Sequence, residues 1–279
     1  MISCPSCRSQ LVRYLSQTVA GDDAAMLYAC DSCSLQFVHG GIVIDKAYYD
    51  EWRPEGETPY DRFQRQHDIA RYSVNAFMEL VPKGSSVLEV GCSAGGFLAR
   101  IQKHYHLQAC EWNSTDRDFV NKVGEIPCTE DIPEGKYDAV IARQTFEHQT
   151  DPHQFWRSIT ECLVPGGIAF LEVPNLDWAL ISNIDLPDYR AQWYTINHRL
   201  YWSGQSLRQF FAQYDLTPEI TCWTKTNIWS DMGRLHGVEA VNTNVRSAYA
   251  KVMKETNDVY RKALVKAGLS DHLRIVIRT

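Results

Sequence analysis

Short apolar runs punctuate this chain at fairly regular intervals, and helical spacing fills the gaps between them. Residues 87–90, 107–110, 137–142 and 168–173 have the length and turn-bounded flanks of buried strands. Upstream, Ile69, Tyr72, Val74, Phe77 and Leu80 fall on one face of a helix over 61–80, which Pro82-Lys83-Gly84 terminates. Strand and helix patterns then alternate to about Trp223. Such alternation predicts an α/β fold with a mainly parallel sheet covered by helices on both faces. A long helix over 243–267, closed by Gly268, and a last strand over 273–277 follow. Residues 223–242 carry no assignable pattern. Near the N-terminus, 11–14 and 26–29 read as two strands of a hairpin, and 46–60, rich in Tyr, Trp, Pro and Glu, as a linker with aromatic anchors.

The first strand of the α/β region runs into Glu89-Val90-Gly91-Cys92-Ser93-Ala94-Gly95-Gly96-Phe97, a Glu-x-Gly-x-x-x-Gly turn. Glycines there permit a tight turn and close approach of the backbone to a ligand, and the next helix offers free N–H groups. The spacing is neither Gly-x-Gly-x-x-Gly nor a Gly-Lys-Ser/Thr phosphate loop. A lysine-free loop preceded by a carboxylate would repel a pyrophosphate and suits a ligand with a cationic head, such as the methionine part of S-adenosylmethionine.

In this segment the chain resembles the class I S-adenosylmethionine-dependent methyltransferases, and further motifs over roughly residues 70–230 follow in that family's order. Glu111 ends the second strand about twenty residues past the turn, where a carboxylate can hold both ribose hydroxyls. The resemblance implies that Asp131 accepts the adenine amino group and that Ile132 packs on the ring. It implies a Rossmann-like sheet whose last strand is antiparallel, and a helix before residue 82 that covers the cofactor. The expected cofactor site is Glu89, Gly91, Cys92, Ser93, Gly95, Phe97, Glu111, Trp112, Asp131, Ile132, Ala142 and Arg143.

At 279 residues the chain has room for one such domain and a small module. The module is legible in the cysteines. Cys4, Cys7, Cys30 and Cys33 form two Cys-x-x-Cys pairs, the spacing of a four-thiolate zinc ribbon. Four thiolates leave no open position on the metal, so its role is structural. Cys92, Cys110, Cys128, Cys162 and Cys222 lie in apolar stretches and read as buried, reduced thiols. The expected divisions are 1–44 for the ribbon, 45–82 for the linker and covering helix, and 83–279 for the methyltransferase domain with a helical insertion at about 243–268. No segment has the form of a signal peptide or a membrane span, and a cytoplasmic location is expected. The net charge of −6, and the scarcity of basic residues in the ribbon, disfavour nucleic acid as a partner.

The partner expected instead is a small-molecule acceptor. Residues 175–202 follow the fifth strand, where methyltransferases of this class commonly build the acceptor pocket, and contain Trp178, Tyr189, Trp193, Tyr194, Tyr201 and Trp202. Asn197-His198-Arg199-Leu200-Tyr201-Trp202 is similar to a stretch in zinc-ribbon-bearing sugar C-methyltransferases, although Ile196 and Asn197 stand where those enzymes commonly have His and Glu. A sugar or glycan precursor, including a nucleotide-linked sugar, is therefore the favoured acceptor. Taking a proton from a hydroxyl or activated carbon needs a base, for which His198 and His148 are the candidates, with Tyr201 assisting. A metal-assisted variant would draw on Glu147, His148, Asp151 and His153, although Asp151-Pro152 also reads as a helix start. Two other readings are an RNA methyltransferase that docks its substrate through the ribbon and a non-catalytic cofactor-binding scaffold. The oligomeric state is not legible.

Overall fold

The computed structural model describes residues 2–15, 19–51, 56–182, 190, 192–226, 231 and 250–279. Tyr189 and the start of the expected insertion, 243–249, lie outside the described residues.

Among the described residues the strands form two sheets. The larger runs in the order β10-β11-β8-β7-β4-β5-β6. Its strands are β4 (Ser86–Val90), β5 (His106–Cys110), β6 (Cys128–Thr129), β7 (Tyr137–Arg143), β8 (Leu163–Pro174), β10 (Glu219–Trp223) and β11 (His272–Arg278). The strands from β6 to β8 pair in parallel. The last strand, β11, lies antiparallel between β8 and β10. Strand order reverses between β4 and β7, and ligand crevices open beyond the carboxyl ends of strands at such a point.

One buried charge cluster locks this sheet to the helix above it. Glu172 in β8 is paired in register with Arg143 of β7 on one side and Arg274 of β11 on the other. Its carboxylate accepts from Arg143 Nε at 2.8 Å, Arg274 Nη2 at 2.8 Å and Ser73 Oγ at 2.7 Å. Ser73 belongs to α2 (Pro59–Leu80), which starts at a capping box between Thr58 and Asp61. The apolar face of α2 inserts Phe77 against Phe97, Tyr105 and Phe170. Burial alone would raise the pKa of Glu172, but the two guanidiniums and the Ser73 hydroxyl hold it below the ordinary value.

The smaller sheet runs β1-β2-β3-β9. Its first two strands, β1 (Val12–Leu15) and β2 (Ala25–Cys30), are the expected hairpin. A third strand, β3 (Gln36–Gly40), pairs with β2 and also with β9 (Leu200–Tyr201), which comes from the segment expected to line the acceptor pocket. The N-terminal module therefore does not stand apart; its sheet continues into the larger domain. His153 Nε2 reaches the Ser6 carbonyl at 2.7 Å from α5 (Pro152–Cys162), fixing the first cysteine pair on that side.

The linker holds a short helix, α1 (Lys46–Glu51), that the composition of 46–60 did not suggest. Of the expected insertion, the helix over Ala250–Ala267 is described. No described helix is long and apolar enough to cross a membrane.

Replacing Glu172 by Gln should destabilise the protein by about 3–5 kcal/mol in denaturant unfolding, because two buried guanidiniums lose their counter-charge. Since Glu172 has a lowered folded pKa, its contribution is complete above the ordinary carboxylate pKa. It fades as pH falls through the lowered value. A loss under 1 kcal/mol would show that the cluster does not hold the sheet to α2.

Candidate active site

A cleft of about 860 Å³ opens beyond the carboxyl ends of β4, β5 and β7. Its first wall is the turn after β4. Gly91 has φ +73°, and a Cβ there would meet Thr145 Oγ1 at 2.6 Å. The turn is crossed by α2 at Gly96, where a Cβ would lie 2.5 Å from the His67 backbone nitrogen. Only a residue without a side chain lets the covering helix come this close.

Polar groups bind turn, helix and second strand together. Glu111 follows β5 and accepts from the Ser93 and Asn113 backbone N–H groups, both at 2.8 Å. Burial raises the pKa of Glu111, and these two bonds oppose the rise. Asp116 is buried in the first turn of α4 (Ser114–Lys122) and accepts from Ser93 Oγ and Arg62 Nη1, each at 2.7 Å. Arg62 in turn bonds Glu57 at 3.2 Å. None of Asp116, Arg62 and Gly96 was singled out by the sequence reading.

Glu89, the acid that opens the motif, is only 2% exposed. Its nearest cation is Arg143, with Nη1 4.0 Å from Oε1, while Oε2 has no partner. Desolvation pushes its pKa up to about 8. The guanidinium of Arg143 also stacks over the Phe97 ring at 4.6 Å. Of the expected cofactor residues, Glu89, Gly91, Cys92, Ser93, Phe97, Glu111, Trp112, Asp131, Ile132 and Arg143 line the cleft. Gly95 supports the turn from behind, with φ +76° and its nitrogen bonded to Cys92 O at 3.0 Å. Ala142 is fully buried in β7, and Arg143 takes the cleft-facing place. Asp131 sits at the rim, paired with Lys46 Nζ at 2.5 Å.

The opposite end is built by two loops that share one backbone hydrogen bond, Arg199 N to Glu147 O at 2.8 Å. Glu147 and His148 lie on a 3-10 turn after β7, and His198 on the segment leading into β9. The two imidazoles meet edge to face with centroids 4.9 Å apart, and both line the cleft. His148 Nδ1 lies 2.7 Å from the Asn197 carbonyl, which can only accept, so Nδ1 carries the proton and Nε2 keeps the lone pair. The Tyr49 hydroxyl of α1 is 2.9 Å from the same nitrogen. Tyr48 bonds the Asn197 side chain. Burial lowers the pKa of both imidazoles, that of His148 to about 4, so both are neutral near pH 7.

Three expectations for this end change. Tyr201 does not reach the cleft: it is 2% exposed, and its hydroxyl bonds Thr195 N at 2.7 Å and Thr195 O at 3.0 Å. Trp178, Trp193, Tyr194 and Trp202 likewise form core, packing against the smaller sheet or under Phe146, rather than aromatic walls. Apolar size made them look like pocket residues, but large aromatic side chains close a core equally well. Asp151 and His153 cannot join Glu147 and His148 around a metal. Asp151 caps α5 through the nitrogens of His153 and Gln154, and His153 is held by Tyr214 and Ser6. The acceptor end is lined instead by Tyr49, Thr195, Asn197, Trp223, Lys225 and His272. Lys225 stands in the segment that carried no readable pattern.

The comparisons with known proteins agree with this geometry. Residues 60–219 match the model of a methyltransferase domain family. The chain belongs to this family. Over 168 residues it is 23% identical to the ubiquinone biosynthesis O-methyltransferase of Caulobacter vibrioides, a match covering 54% of this chain and 66% of that protein. Solved methyltransferase structures share the fold. An S-adenosylmethionine-dependent enzyme from Archaeoglobus fulgidus superposes with a TM-score of 0.52 at 14% identity, covering 78% of this chain and 97% of its own. One from Thermotoga maritima gives 0.51 at 13% identity over 78% and 94%. The methyltransferase is thus an S-adenosylmethionine-dependent enzyme with a Rossmann-like sheet.

The contact at Gly96 yields a direct check. Gly96→Ala must push α2 off the turn, since the facing atom is backbone. Thermal or denaturant unfolding should show a loss of about 1–3 kcal/mol, and amide exchange over 59–67 should quicken. An unchanged exchange pattern would show that α2 does not rest on the turn.

Proposed function

We propose that the protein transfers a methyl group from S-adenosylmethionine to an oxygen, or an activated carbon, of a small polar acceptor, with a sugar or glycan precursor favoured. The observation that carries this reading is that one cleft joins the glycine turn and Glu111 at one end to the His148–His198 pair at the other. The residues fit the cofactor. Gly91 leaves a cradle that a Cβ would fill, and the unpartnered Glu89 oxygen is a buried acceptor that the cationic methionine end would draw into its charged form. Glu111 keeps acceptor capacity beyond its two backbone bonds and is placed to hold the ribose hydroxyls.

The cofactor, when bound, supplies an electrophilic methyl group whose departure leaves a neutral thioether, so no acid is required. What the chain must supply is alignment and removal of the acceptor proton. The first falls to the turn, Arg143 and the covering helix. The second falls to the acceptor end, where the nearest free lone pairs are those of the two neutral imidazoles. Lys225 lines the same end, a buried cation under the electrostatic influence of Asp271 and Glu147, which favours an acceptor carrying a phosphate or carboxylate, such as a nucleotide-linked sugar. The oxygen-methylating relative supports a small-molecule acceptor.

We propose further that Cys4, Cys7, Cys30 and Cys33 hold structural zinc. Their sulfurs lie within 4.8 Å of one another, and four thiolates suit that ion. Through β3 and β9 this ribbon sets the position of His198. Free cysteines throughout the described chain suit a reduced, cytoplasmic setting.

Calorimetric titration with S-adenosylmethionine and S-adenosylhomocysteine tests the cofactor site. The wild-type protein should bind both, and Glu111→Ala should lose about 10- to 100-fold in affinity, the worth of charge-assisted hydrogen bonds to the ribose. Equal affinity in the variant would refute the assignment. Zinc removal by a chelator should abolish amide protection at Leu200 and Tyr201 while leaving β4 and β7 protected; retained protection at β9 would show that the ribbon does not organise the acceptor end.

A further inference from the structure

Both carboxylate oxygens of Glu147 are buried and have no hydrogen-bond partner, and the residue is 1% exposed. His198 Nδ1 is also buried and unpartnered. Buried polar atoms in folded proteins almost always have a partner, so orphaned ones call for an explanation such as a bound ion. The orphans here are not scattered. Ligand atoms of Glu147, His148 and His198 all lie within 4.8 Å of one another. The charge of Lys225 reaches Glu147 at longer range, but no Lys or Arg forms an ion pair with Glu147 among the described residues. A cation satisfies all of the orphaned atoms at once.

We propose that Glu147, His148 and His198 bind a divalent first-row transition metal at the acceptor end of the cleft. Two imidazoles and one carboxylate are a nitrogen-and-oxygen donor set suited to such ions, unlike the all-sulfur set of the ribbon. The outer shell is in place. His148 donates Nδ1–H to the Asn197 carbonyl, which fixes the tautomer and turns Nε2 into the ligand, the arrangement that metal-binding histidines use. The Arg199-to-Glu147 backbone bond holds the two ligand-bearing loops together, and Val38 N bonds the Arg199 carbonyl at 2.9 Å from the smaller sheet. Both imidazoles line the cleft, so the open positions of the ion face the space where the acceptor would lie.

This inference rests on the methyl-transfer reading and specifies how the acceptor is activated. An ion held by these three side chains would lower the pKa of an acceptor hydroxyl beside it, so that the proton would leave to water. The hydroxyl's oxygen pair then forms the bond to the methyl carbon as the carbon–sulfur bond breaks, and that bond's electrons remain on sulfur. With the ion bound the imidazoles serve as its ligands, and the role of proton acceptor given above to their lone pairs passes to water.

Cobalt(II) titration of the full-length, zinc-loaded protein tests the site, because visible absorption distinguishes nitrogen and oxygen ligation from the thiolate charge-transfer bands of the ribbon. One nitrogen- and oxygen-ligated cobalt per chain is expected. Glu147→Gln and His198→Gln should each weaken it by at least about tenfold, while S-adenosylhomocysteine affinity, measured on the same samples, stays within about threefold. If one variant fails to fold, the other carries the test. A wild-type protein that binds S-adenosylhomocysteine but takes cobalt only at thiolates overturns the metal site and leaves methyl transfer standing. Cobalt binding unaffected by both variants also overturns it. Failure to bind S-adenosylhomocysteine overturns the reading beneath it.

Discussion

Burying carboxylates is the constraint around which this molecule is arranged. Glu89, Asp116, Glu147 and Glu172 are all nearly inaccessible, and they cluster at or near the carboxyl edge of the large sheet. An ionised carboxylate in such a place is expensive unless charge and hydrogen bonds surround it. The four are treated differently. Glu172 is clamped between two arginines and a serine, and Asp116 takes Arg62 and Ser93 on one oxygen while its other oxygen has no partner. Glu89 keeps one oxygen unmatched, and Glu147 keeps both. Glu172, fully satisfied, holds the frame together, while Glu89 and Asp116 line the glycine-turn end of the cleft and Glu147 stands next to the cleft-lining His148 at the other. Incomplete satisfaction thus coincides with the places where the proposed ligands belong.

The second organising feature is the way the N-terminal module is wired in. Its third strand borrows Leu200 and Tyr201, and the residues just before them carry His198 and bond back to Glu147. A small cysteine-rich module thereby fixes the loop that carries His198 in place. Helix α1 adds Tyr49 from the other side, so the acceptor end is assembled from three stretches of chain far apart in sequence.

This distribution explains what could be seen in the sequence. The cofactor end was legible because it is local: strand, glycine turn and helix are contiguous, and Glu111 follows at a spacing set by one helical crossover. The ribbon hairpin was legible for the same reason, through paired cysteines. The acceptor end was not. The pairing of β3 with β9 joins residues more than 150 apart, and nothing in either run announces its partner. Trp178, Tyr194, Tyr201 and Trp202 carry the composition of a pocket and the burial of a core, and composition alone does not separate the two. Gly96 looked like a turn residue; its part in seating α2 depends on a helix some thirty residues upstream. Lys225 lay in a stretch without periodicity, and its place in the cleft comes from the neighbouring strands β10 and β11.

The most direct test of the central claim is a crystal structure of the protein with S-adenosylhomocysteine. The account places the ribose hydroxyls on Glu111, the amino-acid end beside the free oxygen of Glu89, and the sulfur facing His148 and His198. A ligand whose ribose sits away from Glu111, or whose sulfur points away from the imidazole pair, would contradict the account. The unmatched carboxylates would then not mark the functional site.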